Sequence, residues 1–562
     1  MAGLSWVCTS SSYGMGTGDV DFRFTILNLR FYALDLWWMM TLEISTVRVC
    51  RDFLFIALLS LFSFAGYGIS RPPMDVLPKR ELRGVWIATV VNIDWPSANN
   101  LTTAQQKAEL IQQLDNHQRA GINAILLQIR PSADALYAKS KEPWSRFLTG
   151  KPGQEPTPFY DPLEFAIEEA HKRGMELHAW INPYRATFDL VSAHTTPDHI
   201  TRQKPHWFFI YGGKKLFNPG LPEVREYITG VVMDIVRNYD IDGIHFDDYF
   251  YPYPDSGKPI PDSETFRKYP NGFRDVGDWR RNNVNLLIKM VSDSVHSAKK
   301  YIKFGVSPFG IWDNKRDHPR GSASSGLSGY RTLYADALKW LEEGWVDYIN
   351  PQIYFPFGNP AAPYEVLADW WAQHTNGRHF YIGHAAYRVN ENREGWRDRN
   401  QIPNQVRYAR AHAHAQGSIY YSSKHISNNA AGLRDSLQYN LYRYKSLPPT
   451  MPWLDSVPPE PPFGLLATVA ENRTSVILHW LPAAAAADGD EAYGYVVYRF
   501  NEGEDLNLNN PQNILYITYD SHQLTYTDNM TRKNGYYRYV VTAIDRIKNE
   551  SVPSNVREVY IE

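Results

Sequence analysis

Cysteine is nearly missing from these 562 residues: Cys8 and Cys50 are the two that occur, both near the N-terminus. If that region is removed, the mature chain has no thiols, which excludes a disulfide framework and a cysteine-ligated metal. Charge of one sign is also lacking. Lys and Arg number 58 against 60 Asp and Glu, a net charge of −2, without the basic surplus that nucleic-acid binding needs. Long apolar runs are scarce. The one that stands out is 53–67, FLFIALLSLFSFAGY, shorter than the roughly 20 apolar residues of a membrane span. It follows Arg48 and Arg51 and leads into Ala65, Gly66 and Gly68, the layout of a signal peptide. Such a segment belongs at a chain's start, and Met39 and Met40 stand just before it. Residues 1–38 therefore read as a mis-assigned extension and 39–70 as the signal. The protein is expected to be exported, to the periplasm, the envelope or the medium, with no membrane association after cleavage. A retained N-terminal anchor is the other reading. No Cys follows the run, so a lipid anchor is not expected.

Aromatic residues are plentiful, 14% of the chain with 17 Trp and 37 Tyr. Core packing accounts for most. The remainder suits carbohydrate, because sugar C–H faces stack on rings that also carry a polar handle.

From 80 to 446 strand-like and helix-like segments alternate. Strands are expected at 83–90, 123–129, 176–181, 242–248, 303–309, 347–354, 379–387 and 417–422. Helical patterns fall at 102–119, 161–173, 222–238, 278–299, 331–343, 365–374, 402–415 and 431–442. Several helices stop on glycine, at Gly121, Gly174 and Gly344. Eight such units predict an α/β fold, a (β/α)8 TIM barrel, with long excursions after strands two, three and four on the face that carries active sites. The proline-rich stretch 447–463 reads as an extended spacer. Residues 464–562 hold short alternating runs at 475–480, 494–500, 514–519 and 536–544, the pattern of an all-β sandwich that resembles a fibronectin type III domain.

The fourth strand, Asp242-Gly-Ile-His-Phe-Asp-Asp-Tyr249, ends in adjacent acids. Side chains alternate along a strand, so His245, Asp247 and Tyr249 share one face and Ile244 and Phe246 the other. The apolar pair suits the helices and the polar set the barrel axis; Asp248 begins the loop. A carboxylate on the axis is costly unless paired or used. Glycoside cleavage commonly takes two carboxyl groups. Asp247 is the candidate nucleophile or base, and Asp248, Asp313, Asp94 and Asp134 compete for the second role. Other strand ends offer substrate contacts: Asp94 and Trp95, Gln128, Arg130 and Asp134, His178, Asn182, Tyr184 and Arg185, His245 and Tyr249, Trp312, and Gln352 with Tyr354. Trp180, Ser307, Tyr387 and Tyr421 stand at strand ends too.

The chain resembles the glycosyl-hydrolase-like 10 family of bacterial exported proteins. The resemblance rests on Glu81-Leu-Arg-Gly-Val-Trp86, Asn92-Ile-Asp-Trp-Pro96, Gln128-Ile-Arg-Pro131, Ala179-Trp-Ile-Asn-Pro-Tyr-Arg185, the strand-four segment and Asn350-Pro-Gln-Ile-Tyr354. It implies a hydrolase acting on peptidoglycan glycan strands, notably strands stripped of stem peptides. Asp242-Gly-x-x-x-Asp247 is also similar to an α-amylase pattern. A family 18 chitinase would carry its acid where Tyr249 stands. No cofactor or metal is expected. Two other readings are a silent glycan binder and a metal-dependent hydrolase using His178, His245 and Asp247.

Overall fold

The computed structural model of the chain describes residues 77–190, 195–411 and 415–562; the segments 1–38 and 39–70 lie outside them. Ten strands come first: β1 Leu82–Ile87, β2 Ala124–Arg130, β3 Glu176–Ile181, β4 Phe208–Tyr211, β5 Lys214–Phe217, β6 Gly243–Phe246, β7 Lys303–Val306, β8 Tyr348–Ile349, β9 His379–His384 and β10 Ala415–Tyr420. All but β4 and β5 form a closed parallel barrel in the order β1-β10-β9-β8-β7-β6-β3-β2. β4 and β5 are an antiparallel hairpin inside the excursion after β3.

The barrel strands are buried on both faces, as a helix-wrapped parallel sheet demands. Val85, Ile125, Leu177, Ile244 and Phe304 pack outward among the helices. Trp86, Leu126, Trp180 and Tyr348 form a separate interior cluster. Helix starts follow local chemistry. Thr102 and Gln105 make a reciprocal capping box before Thr103–Arg119, and Asp161 accepts two backbone N–H groups ahead of a first-turn proline at Pro162–His171.

Three helical segments differ from their sequence pattern. The stretch 331–343 is two short helices, Gly329–Thr332 and Ala337–Glu342, parted at Tyr334, whose φ of 56° is left-handed. The last turn before the linker, Leu437–Leu441, is π-helical. The helix expected over 402–415 is described over Gln401–Ala411, and Ala415, inside the expected span, already belongs to β10. β8 is two residues rather than 347–354, because Pro351 has no N–H for the ladder. Pairing resumes past the proline as isolated bridges of Gln352 to Phe309 and Gly383.

A second group of strands follows: β11 Phe463–Val469, β12 Val476–Leu481, β13 Gly494–Asn501, β14 Ile514–Thr518, β15 Thr525–Asp528, β16 Gly535–Ile544 and β17 Arg557–Ile561. Sheets β11-β12-β15 and β14-β13-β16-β17 face each other across Leu465, Leu478, Trp480, Tyr495, Val497 and Tyr539. β11, β15 and β17 have no counterpart in the alternating runs; all three lie at sheet edges, where few residues are buried.

The sandwich seals the N-terminal end of the barrel. Its 545–549 turn places Ile547 in the interior cluster and sends Lys548 Nζ to 3.3 Å from Glu176 and 3.9 Å from Asp242. Tyr493 meets His171, and Arg546 pairs with Asp240 at 2.6 Å. The linker is irregular, as its prolines require, but it is not a free spacer. Leu447 shares backbone hydrogen bonds with Lys79 and Glu81, Met451 is buried, and Trp453 donates to Asp347 at 2.9 Å.

Candidate active site

Inward-facing residues form a polar column from the sealed end to the open one. Glu176 accepts from Lys303 and, at 3.1 Å, bonds His178 Nε2. His178 Nδ1 meets the Tyr348 hydroxyl at 2.8 Å, and the same hydroxyl meets His245 Nδ1 at 3.0 Å. His245 Nε2 then faces Trp86 Nε1 at 3.2 Å and Ser307 Oγ at 3.3 Å. Donor chemistry sets the direction. An indole N–H only donates and a carboxylate only accepts. His245 Nε2 therefore accepts, its Nδ1–H donates to Tyr348, Tyr348 donates to His178 Nδ1, and His178 Nε2–H donates to Glu176. Burial, then the neighbouring His178, holds the His245 pKa well below its usual range, consistent with a neutral ring. Gly305 makes room for the column, since a Cβ there would lie 2.0 Å from the Tyr348 ring.

Above the column opens a cleft of about 840 Å³ at the C-terminal ends of the strands. Its acidic lining residues, among those described, are Asp247 and Asp248. Asp247 accepts from Asn182 Nδ2, from Trp180 Nε1 at 3.2 Å and from the Tyr249 N–H at 3.3 Å. Gln128 fixes the Asn182 amide. Its Oε1 accepts the backbone N–H groups of Thr89 and Val90 at 3.0 and 2.9 Å, so its NH₂ must face Asn182 Oδ1, at 2.6 Å. The Asn182 NH₂ is left for Asp247. Asp248 accepts from the Tyr253 hydroxyl. Burial, then the charge of Asp248, pushes Asp247 up to about 7. Burial also raises Asp248, against the Tyr253 and Gln352 hydrogen bonds. Two carboxyl groups whose charges act on each other do not both ionise readily, and near neutrality Asp247 is partly protonated.

Of the residues singled out in the sequence, Asp247, Asp248, Gln128, Arg185, Tyr249, Gln352 and Tyr354 line this cleft, and Asn182 supports it from beneath. Others do not reach it. Asp313 is buried against Arg331 and the Asn314 N–H, so it is no second catalytic carboxyl. Asp94 ties β1 to the last barrel unit, accepting from Ala88 N, Ser422 Oγ and Lys424 N. Trp95 is core and donates to the Gln106 carbonyl. Arg130 is locked to Glu142 by two 2.6 Å bonds. Asp134, raised to about 6 by burial, lines a separate pocket with Arg146 and His199 that shares Phe188 with the cleft. Tyr184 is core, and Trp312 stacks on Trp370 with centroids 5.8 Å apart. His178 and His245 belong to the column. Their ring nitrogens are all engaged, so His178, His245 and Asp247 do not assemble as a zinc site.

The cleft also holds residues given no binding role from the sequence: Trp86, Trp180, Phe188, Tyr253, Tyr387 and Tyr421. Strand parity would have found Trp86, which stands two residues beyond Gly84 on the axis side of β1. Tyr354 and Tyr421 stack at 6.3 Å and 27°, with Tyr387 edge-on to both. This wall and the two indoles offer flat apolar faces beside the acids.

Residues 81–398 match the family described as Glycosyl hydrolase-like 10. The chain is 41% identical over 516 residues to "Glycosyl hydrolase YngK" of Bacillus subtilis strain 168, covering 90% of this chain and 99% of that protein. It is 42% identical over 347 residues to "Glycosyl hydrolase DigH" of Escherichia coli K12, covering 57% of this chain and 77% of that one. Among solved structures, the PgaB (BpsB) glycoside hydrolase domain of Bordetella bronchiseptica shares 14% identity at a TM-score of 0.42, covering 64% of this chain and 98% of that one.

Proposed function

Because this chain belongs to the glycosyl hydrolase-like 10 family and is a glycoside hydrolase, we propose that it is exported and cleaves peptidoglycan glycan strands, using Asp247 and Asp248. The observation that carries the catalytic part is the pair itself: two buried carboxyl groups in one aromatic-lined cleft, with Asp247 titrating near 7. At neutral pH Asp247 donates its proton to the departing glycosidic oxygen. Asp248, held by Tyr253, supplies negative charge to the oxocarbenium-like transition state or activates water. Asn182, positioned by Gln128, and Trp180 aim the Asp247 carboxyl. Trp86 and the Tyr354–Tyr421 wall hold sugar rings. Export rests on the apolar segment 53–67.

One observation favours a variant of this mechanism. The two acids are consecutive residues, so both project from one strand end, whereas carboxyl groups that act alone flank the scissile bond. An N-acetyl group on the substrate would then supply the nucleophile from the other side, with Asp248 orienting it. Cleavage of N-acetylated but not de-N-acetylated glycan would select this variant.

The test is reducing-end release from purified peptidoglycan, with and without amidase removal of stem peptides. The expected result is release by wild type, greater on stripped strands, unchanged by EDTA and abolished in Asp247→Asn. Activity should fall on the alkaline side with an apparent pKa near 7. Retained binding without release by wild type would identify a silent glycan binder instead.

A further inference from the structure

A second groove, of about 470 Å³, opens beside the cleft and shares Arg185, Tyr249 and Tyr253 with it. Lys214, Tyr211 and Leu216 complete its walls. The hairpin β4–β5 builds it. Leu216 bridges to Arg185 in antiparallel register. Alternate strand residues share a face, so Lys214 and Leu216 turn to the groove while Phe217 enters the core. Two cations thus flank one groove, and among the described residues no acidic one lines it.

Their partners are few. Arg185 is buried, and its guanidinium lies over the Tyr249 ring at 4.2 Å. Among the described residues, neither Arg185 nor Lys214 has a carboxylate oxygen within 4.0 Å. Asp255, whose N–H reaches the Tyr211 hydroxyl of the groove wall at 2.9 Å, is already paired with Lys258 at 2.8 Å, and the acids whose charges act on Arg185 are those of the cleft, Asp247 and Asp248. A guanidinium carries five N–H donors in a fork that matches a carboxylate, and a π face satisfies few of them. Besides the ring contact the guanidinium has a hydrogen bond with Tyr249, which leaves other N–H groups of the fork for a ligand.

We propose that Arg185 and Lys214 form a subsite for a sugar carboxylate, set beside the catalytic pair. The identity of that sugar rests on the reading of peptidoglycan glycan as substrate. In an intact strand the lactyl group of each muramic acid is amide-linked to a stem peptide and is neutral. Removal of the peptide leaves a free carboxylate. The subsite reads that charge, so selectivity for stripped strands is electrostatic recognition and not merely relief from a bulky peptide. Tyr249, 40% exposed, separates this subsite from the point of cleavage and stacks on Arg185, keeping the guanidinium at the boundary.

Titration calorimetry tests this without requiring cleavage. The probes are N-acetylmuramic acid, its methylamide, and glucuronic acid with its methylamide. At low salt the wild type should bind at least one acid about ten-fold more tightly than its amide. Preference for muramic acid identifies the lactyl position, and preference for glucuronic acid identifies a ring carboxylate. Lys214→Met should cut the acid-to-amide ratio several-fold and Arg185→Gln should abolish it, while Lys215→Met, on the same hairpin but outside the groove, keeps it. Equal binding of acids and amides by wild type overturns the subsite. So does a Lys214→Met variant that weakens acid and amide alike. If the acid is preferred yet stripped strands are not cleaved, the peptidoglycan reading fails while the carboxylate subsite stands.

Discussion

Asp247 shows how one residue couples chemistry to stability. An unfolded aspartate has a pKa of about 3.9, whereas burial and Asp248 raise this one to about 7. Between those values the native state keeps a proton that the unfolded chain has lost, so stability falls as pH rises through the window. Asp247→Asn removes that titration. Scanning calorimetry should find the variant melting above wild type at pH 8, with the difference vanishing below pH 4. Equal melting temperatures at pH 8 would mean that the carboxyl is not strained by its surroundings. Tyr348 offers a second test, because its hydroxyl joins His178 to His245. Tyr348→Phe keeps the ring but strands two imidazole nitrogens, a cost of about 1–3 kcal/mol that denaturant titration would measure. Trp86 loses its fixed acceptor at the same time and its fluorescence should shift. These residues were partly legible beforehand: strand parity puts His245 and Asp247 on the axis, but the partners that fix their protonation come from β1, β2, β3 and β8.

At the scale of elements, periodicity and capping were sufficient to locate every barrel strand and most helices. Their ends were less legible, since a strand stops where its ladder stops; Pro351 truncates β8 for that reason. The hairpin β4–β5 was hidden inside a long excursion, its four-residue strands too short for alternation to show. The glycines on β6 and β7 had no evident role in the linear pattern. In the structure Gly305 is the gap into which the Tyr348 ring fits. Gly305→Ala is expected to be severely destabilising, because the new methyl meets a ring held between two histidines. Expression as soluble, cooperatively melting protein would show that the column can shift aside.

For the molecule as a whole, the barrel and the sandwich share one buried seam. Glu176 at the foot of β3 meets Lys303 from the barrel and Lys548 from the sandwich. Loss of one partner from a buried pair is strongly destabilising. Lys548→Met should cost on the order of 2 kcal/mol, less than a lone pair because Lys303 remains. A chain ending at residue 446 should fare worse: it loses the Leu447 backbone bonds to Lys79 and Glu81 and uncovers the interior cluster that Met451 and Ile547 close. Aggregation of that fragment, set against a soluble full-length protein in gel filtration, is the expected outcome. A monomeric, active fragment would make the sandwich an accessory after all.

By itself the sequence determined what depends on local order: which segments become strands or helices, which strand faces point inward, and that acids and aromatics crowd one end of a barrel. Hydrophobic period, caps and turns are written along the chain, so they can be read along it. Tertiary structure alone decided which of the candidate acids meet. Asp313, Asp94 and Asp134 sit near strand ends just as Asp248 does, and nothing in their spacing reveals that Arg331, Ser422 and Ser132 claim them. It also decided that the sandwich is a plug and the linker a seam, because complementarity between Lys548 and Glu176, 372 positions apart, exists only once the chain has closed on itself.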